Sequence, residues 1–203
     1  MANISIKAQQ MPASAIRKLV PYADAAKKEG VKVYHLNLGQ PDIKSPACAL
    51  EAIRNYNLEN VSYSHSAGLL ELREGLVEKY YKKIGIDITP DEIIVTVAGS
   101  ESVNLALEIT CNPGDEVLVL EPYYTNYNTF AFVNGLTLKS IKTDIRKGFQ
   151  IPEIEEFEKA ITEKTKAILV CNPGNPTGTQ YSKESMLALG EIARRHDLFL
   201  LSD

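Results

Sequence analysis

The chain has 203 residues, of which 44% are hydrophobic and 24% are charged, a composition typical of a globular protein with a substantial core. Its formal net charge of −4 gives no electrostatic support for binding to nucleic acid or to an anionic membrane surface. The apolar runs are too short to span a membrane, and the first residues lack the apolar stretch of a secretory signal.

The first half of the chain predicts a short arm followed by helices and one strand. Residues 1–11 have no strong pattern and suit an arm. The elements predicted after it are a helix over 13–29, a strand over 31–38, a helix capped by Ser45 with Pro46 at its first position that runs to about Tyr56, and a helix over 69–84 that ends at Gly85.

From residue 93 onward, apolar runs that suit buried strands alternate with helical patterns. The strands are predicted over 93–97, 116–120, 136–141, 167–171 and 198–201, and the helices between them over 100–111, 122–133, 152–161 and 182–196. This alternation predicts an α/β fold with a mostly parallel sheet and helices on both faces.

The three cysteines predict a reduced protein without a metal centre. Cys48, Cys111 and Cys171 are odd in number and far apart, and no CxxC pair is present to bind a metal ion. Because Cys111 and Cys171 lie in apolar surroundings, we expect buried free thiols and a cytoplasmic location.

The loop Asn172-Pro-Gly-Asn-Pro-Thr-Gly178 directly follows one of the predicted strands. Its prolines fix φ and its glycines permit positive φ, so the loop is expected to be stiff. Ligands of open α/β sheets bind beyond the carboxyl ends of the strands, where Asn172 and Asn175 can each offer an amide. The alternative is an ordinary strand-to-helix turn, which needs fewer prolines and glycines.

Three other strand ends carry residues suited to a ligand. The turn Ala98-Gly99-Ser100 opens a helix, and the N–H groups at a helix N-terminus bind phosphate. Tyr124 can stack on a planar ligand, and the carboxylate of Asp203 can pair with a protonated ring nitrogen. The plainer alternatives are a helix cap, a core aromatic and an exposed chain end. Together, however, these residues describe a pocket for a phosphorylated, protonated aromatic ring.

This set of ordered motifs resembles the fold-type I, pyridoxal-phosphate-dependent aminotransferases of class I/II, the group that includes aspartate aminotransferases. The resemblance covers essentially the whole chain from about Met11. It implies pyridoxal 5′-phosphate as the cofactor and the transfer of an amino group between an amino acid and a 2-oxo acid, within amino acid metabolism and biosynthesis. The family's aspartate, aromatic and alanine enzymes share these motifs, so the substrate stays open.

The resemblance also implies a role for each residue that matches a family motif. The turn 98–100, with Ala98, Gly99 and Ser100, matches the phosphate-binding turn, and Tyr124 matches the aromatic that stacks on the pyridine ring. Asn175 matches the asparagine that hydrogen-bonds the phenolic oxygen of the cofactor, while Asn172 is expected to shape the turn. Asp203 matches the aspartate that pairs with the ring nitrogen.

Two further matches and the domain division come from the same resemblance. Gly39, in a Gly-Gln-Pro-Asp turn, matches a backbone contact to the substrate carboxylate. Tyr63 matches a tyrosine that reaches the phosphate of the neighbouring subunit, which implies a homodimer. Residues 1–45 are expected to form an N-terminal arm and part of the small domain, and residues 46–203 the large cofactor-binding domain.

The sequence departs from the family at one functional position. The family's Schiff-base lysine lies on the carboxyl side of the aspartate, and no residue of this sequence follows Asp203. We therefore expect an N-terminal portion only of such an enzyme, incomplete at the C-terminus, which contains no catalytic residue. By itself it is expected to bind the cofactor weakly and not to transaminate.

Three alternatives share some of these features. A carbon–sulfur lyase, a decarboxylase or a cyclopropane-forming synthase of the same fold keeps the cofactor and changes the reaction. A non-catalytic cofactor-binding fragment or the sensor domain of a regulator keeps the pocket alone. A nucleotide-binding α/β domain is the last alternative, and the absence of a Walker loop and of a GxGxxG motif from the sequence argues against it.

Overall fold

The computed structural model describes residues 2–14, 16–37, 39–57 and 59–203. The chain divides into two compact units. The first unit consists of residues 1–31 and 98–203, and the second unit consists of residues 32–97. The predicted domain boundary between residues 45 and 46 falls inside the second unit and stays a prediction.

The second half of the chain forms the predicted alternation of helices and strands. In chain order the elements of the whole chain are α1 (Ile6–Gln10), α2 (Val20–Lys28), α3 (Ala47–Arg54), α4 (Leu70–Leu76), α5 (Gly99–Thr110), β1 (Glu116–Glu121), α6 (Asn126–Asn134), β2 (Thr137–Lys142), α7 (Ile154–Ala160), β3 (Thr165–Val170), α8 (Lys183–Arg195) and β4 (Phe199–Ser202). Short 3₁₀ turns lie at Arg17–Leu19, Lys82–Ile84, Pro90–Glu92 and Ile145–Lys147, and a π-helical turn at Val77–Tyr81 continues α4.

The strands form one parallel sheet in the order β2-β1-β3-β4. Glu116 of β1 lies opposite Thr137 of β2, and Ala167 of β3 lies opposite Phe199 of β4. The chain therefore moves outward from β1 to β2 and then crosses back to β3 on the other side of β1. The connections that leave β1 and β3 therefore run in opposite directions along the sheet. The point between the carboxyl ends of these two strands is where open α/β sheets bind their ligands.

Helices cover both faces of the sheet, as predicted, because successive side chains of a strand point to opposite faces. Val117 and Val119 of β1 belong to a core cluster that includes Leu107 of α5 and Tyr127 of α6. Leu118 of β1 belongs to the other cluster, on the opposite face, together with Leu120 of β1, Phe157 of α7 and Leu189 of α8. The two central strands, β1 and β3, are nearly continuous apolar runs because they are buried on both faces.

Two predicted strands are wrong. Residues 31–37 and 93–97 have no strand structure, and Leu38 lies outside the described residues. The backbone N–H of Val95 donates to the carbonyl of Ala67, a loop residue, at 2.9 Å, whereas a strand needs a ladder of such bonds to a neighbouring strand. Apolar alternation indicates which residues suit a strand but does not provide the partner.

Two predicted helix starts are also corrected. Pro46 is the cap of α3 and not its first residue, so Ser45 lies outside the helix. Helix α6 begins at Asn126, four residues after the predicted start at residue 122, because residues 122–125 form the loop that leaves β1. The predicted end at Gly85 is confirmed, since this glycine adopts the left-handed conformation that ends helices, and Gly135 ends α6 in the same way.

The second unit is held together around a buried arginine. Arg73 of α4 is buried, and its guanidinium donates to the carbonyl of Pro90 at 2.7 Å and lies 3.5 Å from the carboxylate of Asp91. Thr89 and Glu92 form a capping box around the same turn. These contacts join α4 to the segment that precedes α5 in the sequence.

No helix among the described residues has both the length and the apolar character needed to cross a bilayer. The same residues contain no group of three or more histidines, cysteines, aspartates or glutamates arranged to hold a metal ion. The three cysteines are free thiols, of which Cys48 is exposed, Cys111 is buried and Cys171 is half-buried. The prediction of buried thiols therefore holds in full for Cys111 and only in part for Cys171.

The contacts of Glu116, at the amino end of β1, predict that the stability of the fold depends on pH. The Thr162 hydroxyl donates to its carboxylate at 2.6 Å and Lys139 lies 3.4 Å away, and these contacts lower the pKa of Glu116. Because the folded pKa lies below that of the unfolded chain, the stabilisation is fully present above the ordinary glutamate pKa and is lost as pH falls through the lowered one.

We expect Glu116→Gln to lower the free energy of unfolding at pH 7 by about 1 kcal/mol. The difference from the wild type should shrink as the pH falls below the ordinary glutamate pKa, which urea unfolding at several pH values would measure. Glu163→Gln, at an exposed position nearby, is the matched control. A difference between Glu116→Gln and the wild type that does not change with pH would contradict the assigned pKa shift.

Candidate active site

A cavity of about 560 Å³ lies in the first unit at the carboxyl end of the sheet. It is bordered by the N-terminus of α5 and by the residues that follow β1, β3 and β4. Its lining residues are Ala98, Gly99, Ser100, Val103, Tyr124, Phe130, Cys171, Asn172, Pro173, Asn175 and Asp203. The structure thus brings together six of the residues that the sequence singles out, at positions 98, 99, 100, 124, 175 and 203.

The N-terminus of α5 forms one wall of the cavity. The helix begins at Gly99, and Ala98 is its cap in an extended conformation. Alanine has no side-chain oxygen with which to cap a helix, and the backbone N–H groups of Glu101 and Ser102 donate to the Ala98 carbonyl at 3.0 and 3.3 Å. Apart from its chain neighbours and the backbone of α5, no atom lies within 4 Å of the position that a Cβ on Gly99 would occupy. The backbone there is open to a ligand, and the Ser100 hydroxyl adds a donor.

The loop after β3 is held by its own hydrogen bonds. The backbone N–H of Gly174 donates to the Thr179 carbonyl at 2.7 Å, and the buried Thr179 hydroxyl donates to the Gly148 carbonyl at 2.9 Å. The side-chain oxygen of Asn172 accepts from the backbone N–H of Tyr181 at 3.0 Å, a contact through which this residue shapes the turn. Asn175 lies on the cavity wall.

Gly174 lies where an added side chain would come too close to its neighbours in the loop. A Cβ on Gly174 would approach the Thr177 hydroxyl oxygen to 2.7 Å and the Thr179 carbonyl oxygen to 3.4 Å. We expect Gly174→Ala to lower the free energy of unfolding by about 1–2 kcal/mol, because the loop must shift to relieve the contact. Thermal unfolding followed by circular dichroism would measure this loss of stability.

Gly190 of α8 is the matched control, because apart from its chain neighbours and the backbone of α8 no atom lies within 4 Å of the position that a Cβ on this glycine would occupy. Gly190→Ala is expected to raise stability by roughly 0.5–1 kcal/mol, since alanine restricts the unfolded chain and favours the helix. Equal effects of the two substitutions would contradict the tight packing assigned to Gly174.

Three tyrosines pack together beside the cavity. The Tyr124 ring meets Tyr127 edge-to-face with centroids 5.5 Å apart, and its hydroxyl accepts from the Asn126 amide at 2.6 Å. Tyr123 stacks on Tyr127 with centroids 6.3 Å apart. These contacts hold Tyr124, a half-buried aromatic of the cavity wall, in a fixed orientation.

Asp203 continues the parallel ladder beyond β4. Its backbone N–H donates to the Val170 carbonyl at 2.9 Å, and its carbonyl accepts from the backbone N–H of Asn172 at 3.1 Å. Its carboxylate accepts a hydrogen bond from the hydroxyl of Tyr127. Main chain and side chain are therefore both held at the cavity wall.

No motif in the sequence indicates Tyr127. This side chain is 1% exposed, and burial, followed by the hydrogen bond to Asp203, raises the pKa of its phenol far above the ordinary value. Tyr127 lies only three residues after Tyr124, but Tyr124 belongs to the loop before α6, so no helical spacing places the two rings together. That spacing does not indicate the contact with Asp203, which is 76 residues away.

Gly39 and Tyr63 lie in the second unit. Gly39 is an exposed loop residue, and the Tyr63 side chain is fully exposed. The roles that the resemblance implies for these two residues stay predictions.

The comparisons with known proteins define the class of this chain. Residues 31–203 match the family model "Aminotransferase class I and II", and the chain belongs to this family. It is 37% identical over 204 residues to the aspartate/prephenate aminotransferase of Thermus thermophilus, covering 100% of this chain and 53% of that protein. It is 33% identical over 201 residues to the aspartate aminotransferase of Thermotoga maritima, covering 98% and 53%.

Solved structures agree with the fold. A double mutant of Thermus thermophilus aspartate aminotransferase superposes with a TM-score of 0.89 at 36% identity, covering all of this chain and 53% of that one. An alanine aminotransferase from Pyrococcus furiosus gives the same TM-score and identity, covering 99% and 52%. The chain spans about half the length of the curated relatives it matches.

Pyridoxal 5′-phosphate is the cofactor of this family, and the donors around the cavity fit its chemistry. A helix N-terminus with an open glycine and a serine hydroxyl suits a phosphate. A tyrosine ring suits a flat pyridine ring, and an amide suits a phenolic oxygen. A carboxylate on the wall suits a protonated ring nitrogen.

Proposed function

We propose that the whole protein containing this chain transfers an amino group between an amino acid and a 2-oxo acid, with pyridoxal 5′-phosphate held in the cavity. The observation that carries the proposal is the set of groups on its wall: a helix N-terminus, an aromatic ring, an amide and a carboxylate. Each of these groups complements a different part of one cofactor. A carbon–sulfur lyase or another enzyme of this fold is the second candidate, because it would use the same cofactor groups.

The residues of this chain bind and orient the cofactor. We assign the phosphate to the turn 98–100 at the start of α5, where the helix dipole and N–H groups favour an anion. Tyr124 stacks on the pyridine ring, and the Asn175 amide donates to the phenolic oxygen. When bound, the cofactor withdraws electrons from the α-carbon of the substrate. Asp203 keeps the ring nitrogen protonated, which strengthens that withdrawal.

Amino transfer also needs a base that moves a proton at the substrate α-carbon. Among the described residues, those that line the cavity include no lysine, arginine or histidine. We therefore assign the proton transfer to no residue of 1–203, and we expect this stretch alone to bind the cofactor weakly without turnover. The base and the covalent lysine belong to the rest of the whole protein in this proposal.

The names of the relatives support a proposal for the substrate, and the family resemblance supports one for the assembly. Two of the similar proteins are aspartate or aspartate/prephenate aminotransferases and one is an alanine aminotransferase, so we propose aspartate first and alanine next. Aromatic amino acids are the third candidate, on the family resemblance alone. Gly39 is proposed to contact the substrate carboxylate. We propose a homodimer in the cytoplasm, in which the exposed phenol of Tyr63 reaches the phosphate in the partner copy.

The test is an assay of the purified whole protein with a panel of amino acids and 2-oxoglutarate. We expect formation of glutamate and of the matching 2-oxo acid, lost when pyridoxal 5′-phosphate is removed and regained when it is returned. Release of sulfide and pyruvate from cysteine, without glutamate formation, would favour the lyase. A protein that binds no pyridoxal 5′-phosphate at all would refute both candidates.

A further inference from the structure

The hydroxyl of Tyr127 contacts the carboxylate that faces the cavity. It donates to Oδ2 of Asp203 from a side chain that is 1% exposed and packed in the core between α6 and the sheet. A buried hydroxyl needs a partner, because an unpaired one costs on the order of 1–3 kcal/mol. Here the partner is a residue of the proposed cofactor site.

The Tyr127 ring has little freedom to move. Tyr123 stacks on it with ring planes 11° apart, and Tyr124 meets it at 88°. The main chain of Asp203 is held independently by its bonds to Val170 and Asn172. Donor and acceptor are therefore fixed by separate elements, α6 on one side and the ladder beyond β4 on the other.

The direction of the hydrogen bond is also fixed. Burial raises the pKa of the Tyr127 phenol, so the hydroxyl keeps its proton and acts as the donor. The acceptor of this bond must be the carboxylate oxygen. A carboxylate has several acceptor sites, so the bond at Oδ2 leaves the group able to accept from an N–H group of a ligand.

We propose that Tyr127 is a positioning residue that orients and stabilises the charged carboxylate of Asp203 for a protonated ring nitrogen. The inference rests on the proposed function, because it takes Asp203 to be the partner of that nitrogen. Tyr127 does not itself line the cavity, so it acts through Asp203. A hydrogen bond to a charged group is stronger than one between neutral groups, and a carboxylate that is already oriented binds its ligand at a lower entropic cost.

The test compares two ligands on the cofactor-free whole protein. The probes are pyridoxal 5′-phosphate and its 1-deaza analogue, in which a carbon replaces the ring nitrogen. We expect Tyr127→Phe to weaken binding of pyridoxal 5′-phosphate by about tenfold and to leave the affinity for the analogue unchanged. Phenylalanine keeps the ring contacts, so the melting temperature without ligand should change little.

Two controls distinguish a role of Tyr127 in orienting Asp203 from a role in packing alone. Tyr123→Phe removes a hydroxyl from the same stack, but that hydroxyl donates to Asn128 at 3.1 Å and not to Asp203, so both affinities should stay at wild-type values. In an Asp203→Asn background, Tyr127→Phe should add no further loss, because the carboxylate it orients is already gone.

The outcomes distinguish the two levels of the proposal. An equal loss for both ligands, or no loss for either, overturns the positioning role while leaving the proposed function intact. A wild-type protein that binds neither ligand overturns the proposed function, and the role of Tyr127 with it.

Discussion

Asp203→Asn is expected to lower kcat of amino transfer in the whole protein by about 10²–10³, the size of effect seen when one charge-stabilising group is removed from an active site. The asparagine keeps the shape of the side chain and loses its charge. A neutral amide does not favour protonation of the ring nitrogen, so the cofactor withdraws electrons less strongly from the substrate. Steady-state kinetics with saturating pyridoxal 5′-phosphate would separate this effect from weaker cofactor binding.

Asp197→Asn is the matched control for this prediction. Asp197 is exposed after α8 and has a φ of 53°, a left-handed conformation that asparagine also tolerates. The same chemical change there should leave kcat at the wild-type value. If Asp203→Asn retained wild-type turnover, Asp203 would not be the partner of the ring nitrogen, even though it lies on the cavity wall.

The sequence predicts much of this site because its motifs follow strands. The runs around residues 116–121 and 165–170 are apolar on both faces, and such runs form central strands of a parallel sheet. Once those strands are assigned, the residues after them must meet at one edge. The prediction that Tyr124, Asn175 and Asp203 lie together therefore needs only the order of elements and not any contact.

Long-range pairing explains what the sequence does not predict. The apolar run 93–97 suits a strand, but its bond partner Ala67 lies in a loop of the second unit. The contact between Tyr127 and Asp203 joins α6 to the ladder beyond β4 and has no periodic signature. Local patterns identify elements, whereas the pairing of elements far apart in the chain decides these contacts.

The two faces of the sheet differ in whether they adjoin the cavity. Tyr127 of α6 packs on the face toward α5 and α6, and this face adjoins the cavity. Substitutions in that core cluster are expected to change stability and ligand binding together. Leu189 of α8 and Phe157 of α7 pack on the opposite face, and no residue of their core cluster lines the cavity. Substitutions on this second face should affect stability alone.

Leu189→Ala is expected to give the largest loss of stability. Leu189 of α8 is 0% exposed and packs in the cluster of Leu118 and Phe157. Truncating a buried leucine removes transfer free energy and leaves a cavity, which costs about 3 kcal/mol and lowers the melting temperature of a chain of this size by roughly 6–12 °C. Thermal unfolding would measure the shift.

Leu187→Ala provides a control with the same chemistry on the same helix. Leu187 is 63% exposed, so its truncation should change stability by no more than about 0.5 kcal/mol. Because neither leucine lines the cavity, both variants should bind pyridoxal 5′-phosphate with wild-type affinity at a temperature where they are folded. A weaker affinity in Leu189→Ala alone would show that the two faces are coupled, and that the strands transmit packing changes to the site.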